Sequence, residues 1–260
     1  MSNSASSYRV RVTANGFDEW ESSAIVLTPD QSVFLVTDVK LRLARTESSI
    51  TVYPSTSQIA AEQVRLEEQQ RVLGFIPNFY TVYDSQNAVP LTAKLKFQLA
   101  MRVSVDPVTL TAVPLMAGIR QAAGTPNYGQ GAKGYGERVG AEAAAGFSSI
   151  MIGDAILPSL LHQDPRYFYQ GTGTTRSRLN HALASPFVTR GDNGRLQPNY
   201  SGIGGDLASA ALMNTYYPQS NRGASMIAGQ FAVSIAEHGL NAVLQEFVLP
   251  RFTPALKKRK

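Results

Sequence analysis

The chain lacks cysteine altogether and has only three histidines among its 260 residues. Without cysteine it can form no disulfide, no reactive thiolate and no cysteine metal site. The histidines are His162, His181 and His238, and they do not stand at metal-ligand spacing. Neither H-E-x-x-H nor G-x-S-x-G occurs. We therefore expect no metal and no cofactor, and we interpret His181 and His238 as packing or surface residues.

Long apolar runs are absent too. The longest uncharged stretches are Leu207–Asn221 (15 residues) and Gly223–Ala236 (14 residues). A spanning helix needs roughly 20 predominantly apolar residues. The start, MSNSASSYRV, has neither a basic region nor an apolar region of the kind found in signal peptides. We expect no membrane span and no signal peptide, while interfacial or re-entrant association with a membrane stays open.

The positive charge is concentrated at one end. The formal net charge is +5, and the C-terminal residues 257–260 (KKRK) supply four of those charges. A body of nearly zero charge argues against a nucleic-acid surface spread over the fold. The tail, residues 253–260, is either a solvated terminus or a segment attracted to anionic lipid.

Residues 1–54 show the short-strand pattern of a β-sandwich. Tyr8, Val10 and Val12 alternate with polar residues, Asn15-Gly16 makes a turn, and further strands are predicted at 24–27, 33–36, 39–43 and 50–53. The residues Tyr8–Val12, Gly16-Phe17, Val26-Leu27 with Gln31, and Asp38–Leu41 resemble the C-terminal half of the carboxypeptidase regulatory-like (transthyretin-like) β-sandwich. The resemblance implies a partial sandwich that carries no protease chemistry.

From residue 90 the hydrophobic period becomes helical. Residues 90–252 predict a Gly/Ala-rich, up-and-down multi-helix bundle, and residues 55–89 a helical and aromatic linker before it. The predicted helices run from 90, 107, 131, 174, 200 and 222, with Asp106 as the N-cap of the second. Pro158 is expected to end or bend the third. The predicted fold class is therefore α+β, a small partial β-sandwich followed by a helical bundle.

One end of this bundle collects aromatic and charged residues. If helices joined by short loops alternate in direction, the 162–169 and 216–222 loops meet at one end, and the 190–199 loop lies with Asn127-Tyr128 at the other. Aromatic residues with arginine are typical of recognition surfaces. The candidate binding residues are His162, Asp164, Arg166, Tyr167, Tyr169, Tyr216, Tyr217 and Arg222. The structural alternative is a loop held by an Asp164–Arg166 or Asp164–Arg222 bridge, with tyrosines capping the core.

Other motifs indicate less. Residues 129–134 fit G-x-G-x-x-G, but no strand precedes them, so glycines for close packing explain them better than a nucleotide. Arg190-Gly191-Asp192 spells the integrin-type tripeptide, and a turn is the simpler interpretation. Ser159, His162 and Asp164 are close in sequence, which does not make a catalytic triad.

A second resemblance covers about residues 70–250. The blocks 157–168, 189–195, 198–201 and 216–223 look like an uncharacterised bacterial envelope-protein family, of the kind found in Acidobacteria-like genomes behind a carboxypeptidase regulatory-like domain. The resemblance implies a periplasmic or outer-membrane setting and no assigned activity. The sequence thus predicts a non-enzymatic envelope protein that binds an unknown ligand or a membrane surface. The alternatives are a peptide or glycan hydrolase using the 162–169 loop, and an oligomeric scaffold packed through Gly136, Gly140 and Ala144.

Overall fold

The computed structural model describes residues 6–27, 33–44 and 54–253. The chain divides into two compact units, 1–53 and 54–260. The fold is mixed α+β with a helical majority. The helices are α1 (Thr56–Glu67), α2 (Ala93–Ser104), α3 (Pro107–Ala122), α4 (Gly131–Ile150), a π-helical segment (Met151–Ile156), α5 (Leu157–Leu160), α6 (Thr175–Ala184), α7 (Tyr200–Tyr216) and α8 (Ala224–Phe247).

The first unit is an irregular antiparallel hairpin. Its strands are β1 (Ser6–Tyr8), β2 (Arg11–Val12), β3 (Trp20–Glu21) and β4 (Ile25–Leu27). Tyr8 pairs with Ile25 and Val12 with Trp20, and Gly16 takes a positive φ in the predicted turn. A β-sandwich is not shown. Of the strands predicted after residue 32, only a Phe17–Leu43 bridge appears in 33–44, and 50–53 lies outside the described residues.

The second unit carries small strands between its helices. They are β5 (Arg71–Val72), β6 (Ile76–Pro77), β7 (Thr81–Val82), β8 (Gln163–Asp164), β9 (Tyr167–Phe168), β10 (Val188–Gly191) and β11 (Leu196–Pro198). β8, β10 and β11 form one antiparallel sheet, and β7 pairs in parallel with β9. These pairings hold residues 78–83 and the 162–169 loop side by side.

Residues 55–89 are not a linker. Ala60 and Val64 of α1 and Phe79 join Leu95 and Leu99 of α2 in one buried cluster. The sequence has three large apolar residues on α1, too few to predict a buried helix; of these, Val64 is buried and Ile59 and Leu66 are exposed. α1 instead buries Ala60, Val64 and Glu67, and Glu67 accepts a hydrogen bond from the buried Arg166.

The helix boundaries after residue 90 follow the sequence closely, with one exception. Asp106 caps α3 through the Val108 N–H (3.0 Å), as predicted, and α3 continues through Pro114. The predicted fourth helix, 174–189, ends five residues early, as α6. A strand pair, β10–β11, follows it where a Gly/Asn/Pro loop was predicted.

Among the described residues, one helix is long and apolar enough to cross a membrane. It is the continuous Gly131–Leu160 helix, and only 11% of its most apolar window is buried; α2 and α3, bent by 53°, pass the same test as a pair. This result rests on length and composition alone. A Cβ placed on Gly136 or Gly140 of that helix would meet no other described atom within 4 Å, so no element of the described chain packs closely against these two glycines.

Candidate functional site

A buried arginine, Arg166, holds the predicted binding loop in place. Its guanidinium donates to Asp164 (Nη2–Oδ2 2.8 Å), to Glu67 of α1 (Nη1–Oε1 2.9 Å) and to the Val89 carbonyl (2.8 Å). Burial lowers the pKa of Arg166, but the hydrogen bonds and negative charges of Asp164 and Glu67 outweigh burial and raise it. The structural alternative, a loop held by an Asp164–Arg166 bridge, is confirmed.

A second buried charged residue, Glu246 of α8, holds residues 167–178 in place through several hydrogen bonds. Its carboxylate accepts from the Tyr167 hydroxyl (2.8 Å), Arg178 Nε (2.8 Å) and the Gly171 N–H (2.8 Å). Burial raises the pKa of Glu246, but these hydrogen bonds, with Arg178 the largest, lower it overall. Tyr167 therefore contributes its hydroxyl to the interior, and burial raises its pKa.

Seven of the eight predicted residues form two separate groups and not one. Asp164 pairs with Arg190 of the β10 hairpin and binds Arg166. Tyr167 donates to Glu246, and Arg178 lies over the Tyr169 ring. Tyr216 and Tyr217 contact Tyr128 instead: Tyr128 and Tyr217 have ring centroids 6.2 Å apart, and the Tyr128 hydroxyl donates to the Tyr216 carbonyl. Arg222 donates to the Tyr217 carbonyl.

The predicted pairing of loop ends was therefore wrong. The physical reason is the length of α6. Its 10 residues span about 15 Å, against about 25 Å for the 17 residues of α7. Because α6 does not run the length of the bundle, the loop after it returns to the end at which it began.

His162 lies at the margin of this loop. Its side chain is 83% exposed and its Nδ1 is 3.7 Å from Asp192. Asp192 is already bound by the buried Lys96, whose Nζ donates to both carboxylate oxygens at 2.9 Å. The aspartate of the Arg-Gly-Asp tripeptide is thus part of the fold, and Asp164, the acid predicted to serve His162 in hydrolysis, is bound to Arg166.

A cavity of about 420 Å³ adjoins the loop. Its lining includes Arg166 and Phe168 and three titratable residues that were not predicted as a site: Asp154, Asp206 and His238. His238 Nε2 lies 3.3 Å from Asp206 Oδ1, while Asp206 Oδ2 is buried without a hydrogen-bond partner. Asp154 makes no hydrogen bond or ion pair with the residues between 54 and 253.

The helix that presents Asp154 is widened by Pro158. Proline has no N–H, so the Asp154 carbonyl loses its α-helical donor, and the ring crowds the preceding turn. The chain relaxes into the π-helical segment, where the Leu157 N–H donates to Ile152, five residues back. The prediction that Pro158 bends or ends the helix missed this outcome, and with it the residue that faces the cavity.

Two glycines allow the helix that carries Asp206 to approach the segment that carries Asp154. A Cβ placed on Gly205 would lie 2.4 Å from the Gly153 Cα, so α7 and the π-helical segment touch backbone to backbone. Gly205 precedes Asp206, and Gly153 precedes Asp154. The sequence carries one signal for each acid, a G-D dipeptide inside an otherwise apolar helical stretch, but it does not indicate that the two acids lie close together.

The electrostatics of this group are coupled. Burial raises the pKa of Asp154 to about 7, His238 opposes that rise and Asp206 adds to it. The hydrogen bond that His238 donates to Asp206 raises the pKa of His238. Burial raises the pKa of Tyr80, with Asp154 and Asp164 contributing. Asp154 therefore changes protonation state near neutral pH, and shifted pKa values of this kind are typical of functional sites.

The glycine motif at 129–134 serves packing. A Cβ on Gly134 would lie 2.3 Å from the Gly129 carbonyl oxygen. Arg138 donates to the carbonyls of Gly129 (2.7 Å) and Pro126 (2.7 Å), which closes the turn against α4. Among the residues that the structure describes, no three His, Cys, Asp or Glu side chains are placed to hold a metal ion.

No protein-family model, curated protein or solved structure matches the chain. The two family resemblances noted in the sequence therefore stay predictions.

Proposed function

We propose that the chain is a non-enzymatic protein of the cell envelope that associates with an anionic membrane surface through α2 and α3. The partial β-sandwich of residues 1–54 remains part of this proposal, supported by two strand pairs and by the residue resemblance. The periplasmic or outer-membrane setting rests on the second resemblance alone.

The observation that carries the proposal is the solvent exposure of the apolar side chains of α3. Its 16 residues include one charged residue, Arg120, and only Ala117 is buried. Leu110, Leu115 and Ile119 are 55%, 69% and 56% exposed. A helix that is apolar all round is normally buried in a core or in lipid, and α3 packs chiefly against α4.

Charge complementarity favours lipid as the occupant of this surface. Between Asp84 and Glu137 the only acidic residue is Asp106, and it is buried against Arg71 (Oδ2–Nη2 2.6 Å). The same interval holds five basic residues, of which Lys94 and Arg102 of α2 are exposed beside the exposed Phe97 and Met101. A helix face that mixes apolar with basic side chains suits the interface of an anionic bilayer.

Burial of charge elsewhere in the unit supports the same conclusion. Lys96, Arg138, Arg166 and Glu246 are each at most 3% exposed, while Leu115, Leu160 and Leu240 are at least 61% exposed. In a water-soluble bundle the pattern is the reverse. Charged groups turned inward and paired are the arrangement that membrane-facing helices adopt.

The experiment is vesicle flotation with the full chain. We expect binding to vesicles of phosphatidylcholine with 30% phosphatidylglycerol, weaker binding to phosphatidylcholine alone, and loss of binding in the Leu115→Glu, Ile119→Glu double variant. The matched control is Leu196→Glu, since Leu196 is 74% exposed and lies on β11 and not on α2 or α3. A Lys94→Gln, Arg102→Gln variant should lose the preference for anionic lipid and keep the apolar contribution.

The scaffold alternative gives a different result in the same experiment. If a second copy covers α3, light scattering without lipid shows an oligomer that Leu115→Glu dissociates, and vesicles do not float the protein. A monomer that stays with the aqueous fraction at low salt would overturn both interpretations. The hydrolase alternative has no observation in its favour, because Asp164 and Arg166 are bound to each other and to Glu67.

A further inference from the structure

We propose that the cavity beside the π-helical segment binds a small organic molecule through a primary ammonium group, held by Asp154 and Asp206. This inference stands on the cavity alone and does not depend on membrane association. At about 420 Å³ the cavity falls in the range of small-molecule sites, roughly 300–1,000 Å³.

The carboxylates of the cavity lack donors. Asp206 is 6% exposed, and of its two oxygens only Oδ1 has a partner, His238. Asp154 lines the cavity and accepts no hydrogen bond from residues 54–253. A buried carboxylate oxygen without a donor is costly, so a ligand that brings N–H groups would satisfy it.

The formal charge of the lining together with its ion-pair partners favours a cation. Arg166 lines the cavity, but its charge is neutralised by Asp164 and Glu67. Arg190 stacks its guanidinium over Phe168, 4.1 Å from the ring centroid, and donates to the Ser85 carbonyl. With His238 neutral and Asp154 ionised, Asp154 and Asp206 balance the two arginines within the lining. Asp164 and Glu67, which pair with Arg166 outside the lining, add two negative charges.

The walls suit the rest of such a molecule. Phe168, Tyr80 and Pro186 provide apolar and aromatic surface, and a cation close to an aromatic face gains further attraction. A primary ammonium is favoured over a quaternary one because only the former donates hydrogen bonds to the carboxylates.

Binding should depend on pH. The charged or titratable groups that face Asp154 are His238 on α8, Asp206 on α7 and Tyr80. From α2, which packs against the π-helical segment, Lys96 donates to Asp192 and to the Pro158 carbonyl. Asp154 loses its proton near pH 7, so affinity for an ammonium should rise between pH 6 and pH 8. His238 loses its positive charge as pH rises, which acts in the same direction.

The test is calorimetry of the full chain with benzylamine, benzyl alcohol and benzyltrimethylammonium, which share one ring and differ in the head group. We expect benzylamine to bind more tightly than both others, by on the order of tenfold, since a charge-assisted hydrogen bond contributes that much. Asp154→Asn and Asp206→Asn should each weaken benzylamine by about tenfold. Glu137→Gln, an exposed acid on α4, is the control.

A competition experiment distinguishes a lipid head group from a free amine as the natural ligand. Vesicles containing phosphatidylethanolamine should compete with benzylamine if a lipid head group is the ligand, and ethanolamine alone should compete if the ligand is free. If an asparagine variant unfolds at a different urea concentration from the parent, its binding data are set aside, and the pH dependence of benzylamine binding to the unmodified chain serves as the test. Equal affinity for benzyl alcohol and benzylamine, or affinity independent of pH, would overturn the proposal, as would no binding of benzylamine at millimolar concentration.

Discussion

Arg166 Nη1 donates to Glu67 Oε1 at 2.9 Å, across 99 positions of sequence. The side chain of Arg166 is fully buried and that of Glu67 is 6% exposed. This ion pair joins α1, which precedes the bundle, to the loop that follows α5. The pair therefore connects residues 55–89 to the helical unit. It also shows that the 162–169 loop, which has the composition of a recognition surface, has a structural role inside the fold.

Glu67→Gln should lower the free energy of unfolding by about 3 kcal/mol, because removal of one partner leaves a buried charge with weaker compensation. Arg166 keeps Asp164, so the chain should still fold. The measurement is urea denaturation followed by circular dichroism. Glu62→Gln, an exposed position on the same helix, should leave the midpoint unchanged, and an equally small effect of Glu67→Gln would show that the pair contributes nothing to stability.

Glu246→Gln should make the protein less sensitive to acid. Hydrogen bonds lower the folded pKa of Glu246 below its ordinary value, so the native state favours the carboxylate. Its contribution is fully present above the unfolded pKa, about 4.5, and is lost as pH falls through the lower folded pKa. We expect a loss of about 2 kcal/mol at pH 7 and a smaller one at pH 3. Glu237→Gln, exposed on the same helix, should not change this pH profile.

The hydrophobic period was sufficient to predict where α3, α7 and α8 lie, because each begins beside a cap, a proline or a glycine loop that is visible in the sequence. It was not sufficient for the 162–198 region. There a short helix and strand pairs of two or three residues depend on tertiary contacts such as Arg190 with Asp164, and such pairs leave no periodic signal.

The sequence predicted only some of the residues at the candidate site, because tertiary contacts bring the others together. Asp164, Arg166 and Tyr167 stood out because charged and aromatic residues crowd one loop, yet composition does not distinguish a buried support from an exposed surface. Asp154 and Asp206 were missed because each is a lone acid within an apolar helix. Their approach depends on a π-helical segment and on a glycine contact, which only the fold brings together.

Gly205→Ala should destabilise the helical unit by about 1–3 kcal/mol, the usual cost of overpacking. The added Cβ would lie 2.4 Å from the Gly153 Cα, and backbone cannot move aside as a flexible side chain can. Gly140→Ala is the matched control, because nothing lies within 4 Å of a Cβ there and alanine favours a helix by up to about 1 kcal/mol. Thermal unfolding of the two variants should therefore shift in opposite directions, and a rise in Tm for both would show that α7 can move away from the π-helical segment without loss.

Asp154→Asn should stabilise the protein at high pH and have little effect at low pH. The folded pKa of Asp154, about 7, lies above its ordinary value of 3.8, so the native state binds this proton more tightly than the unfolded chain does. Stability is then lost as pH rises from about 4 to about 7. The asparagine variant is neutral throughout and avoids that loss, which is at most about 4 kcal/mol for a shift of this size. Urea midpoints at pH 4, 6 and 8 measure it, with Glu137→Gln as the control; a variant less stable than the parent at pH 8 would mean that the charged form of Asp154 is the one that the fold favours.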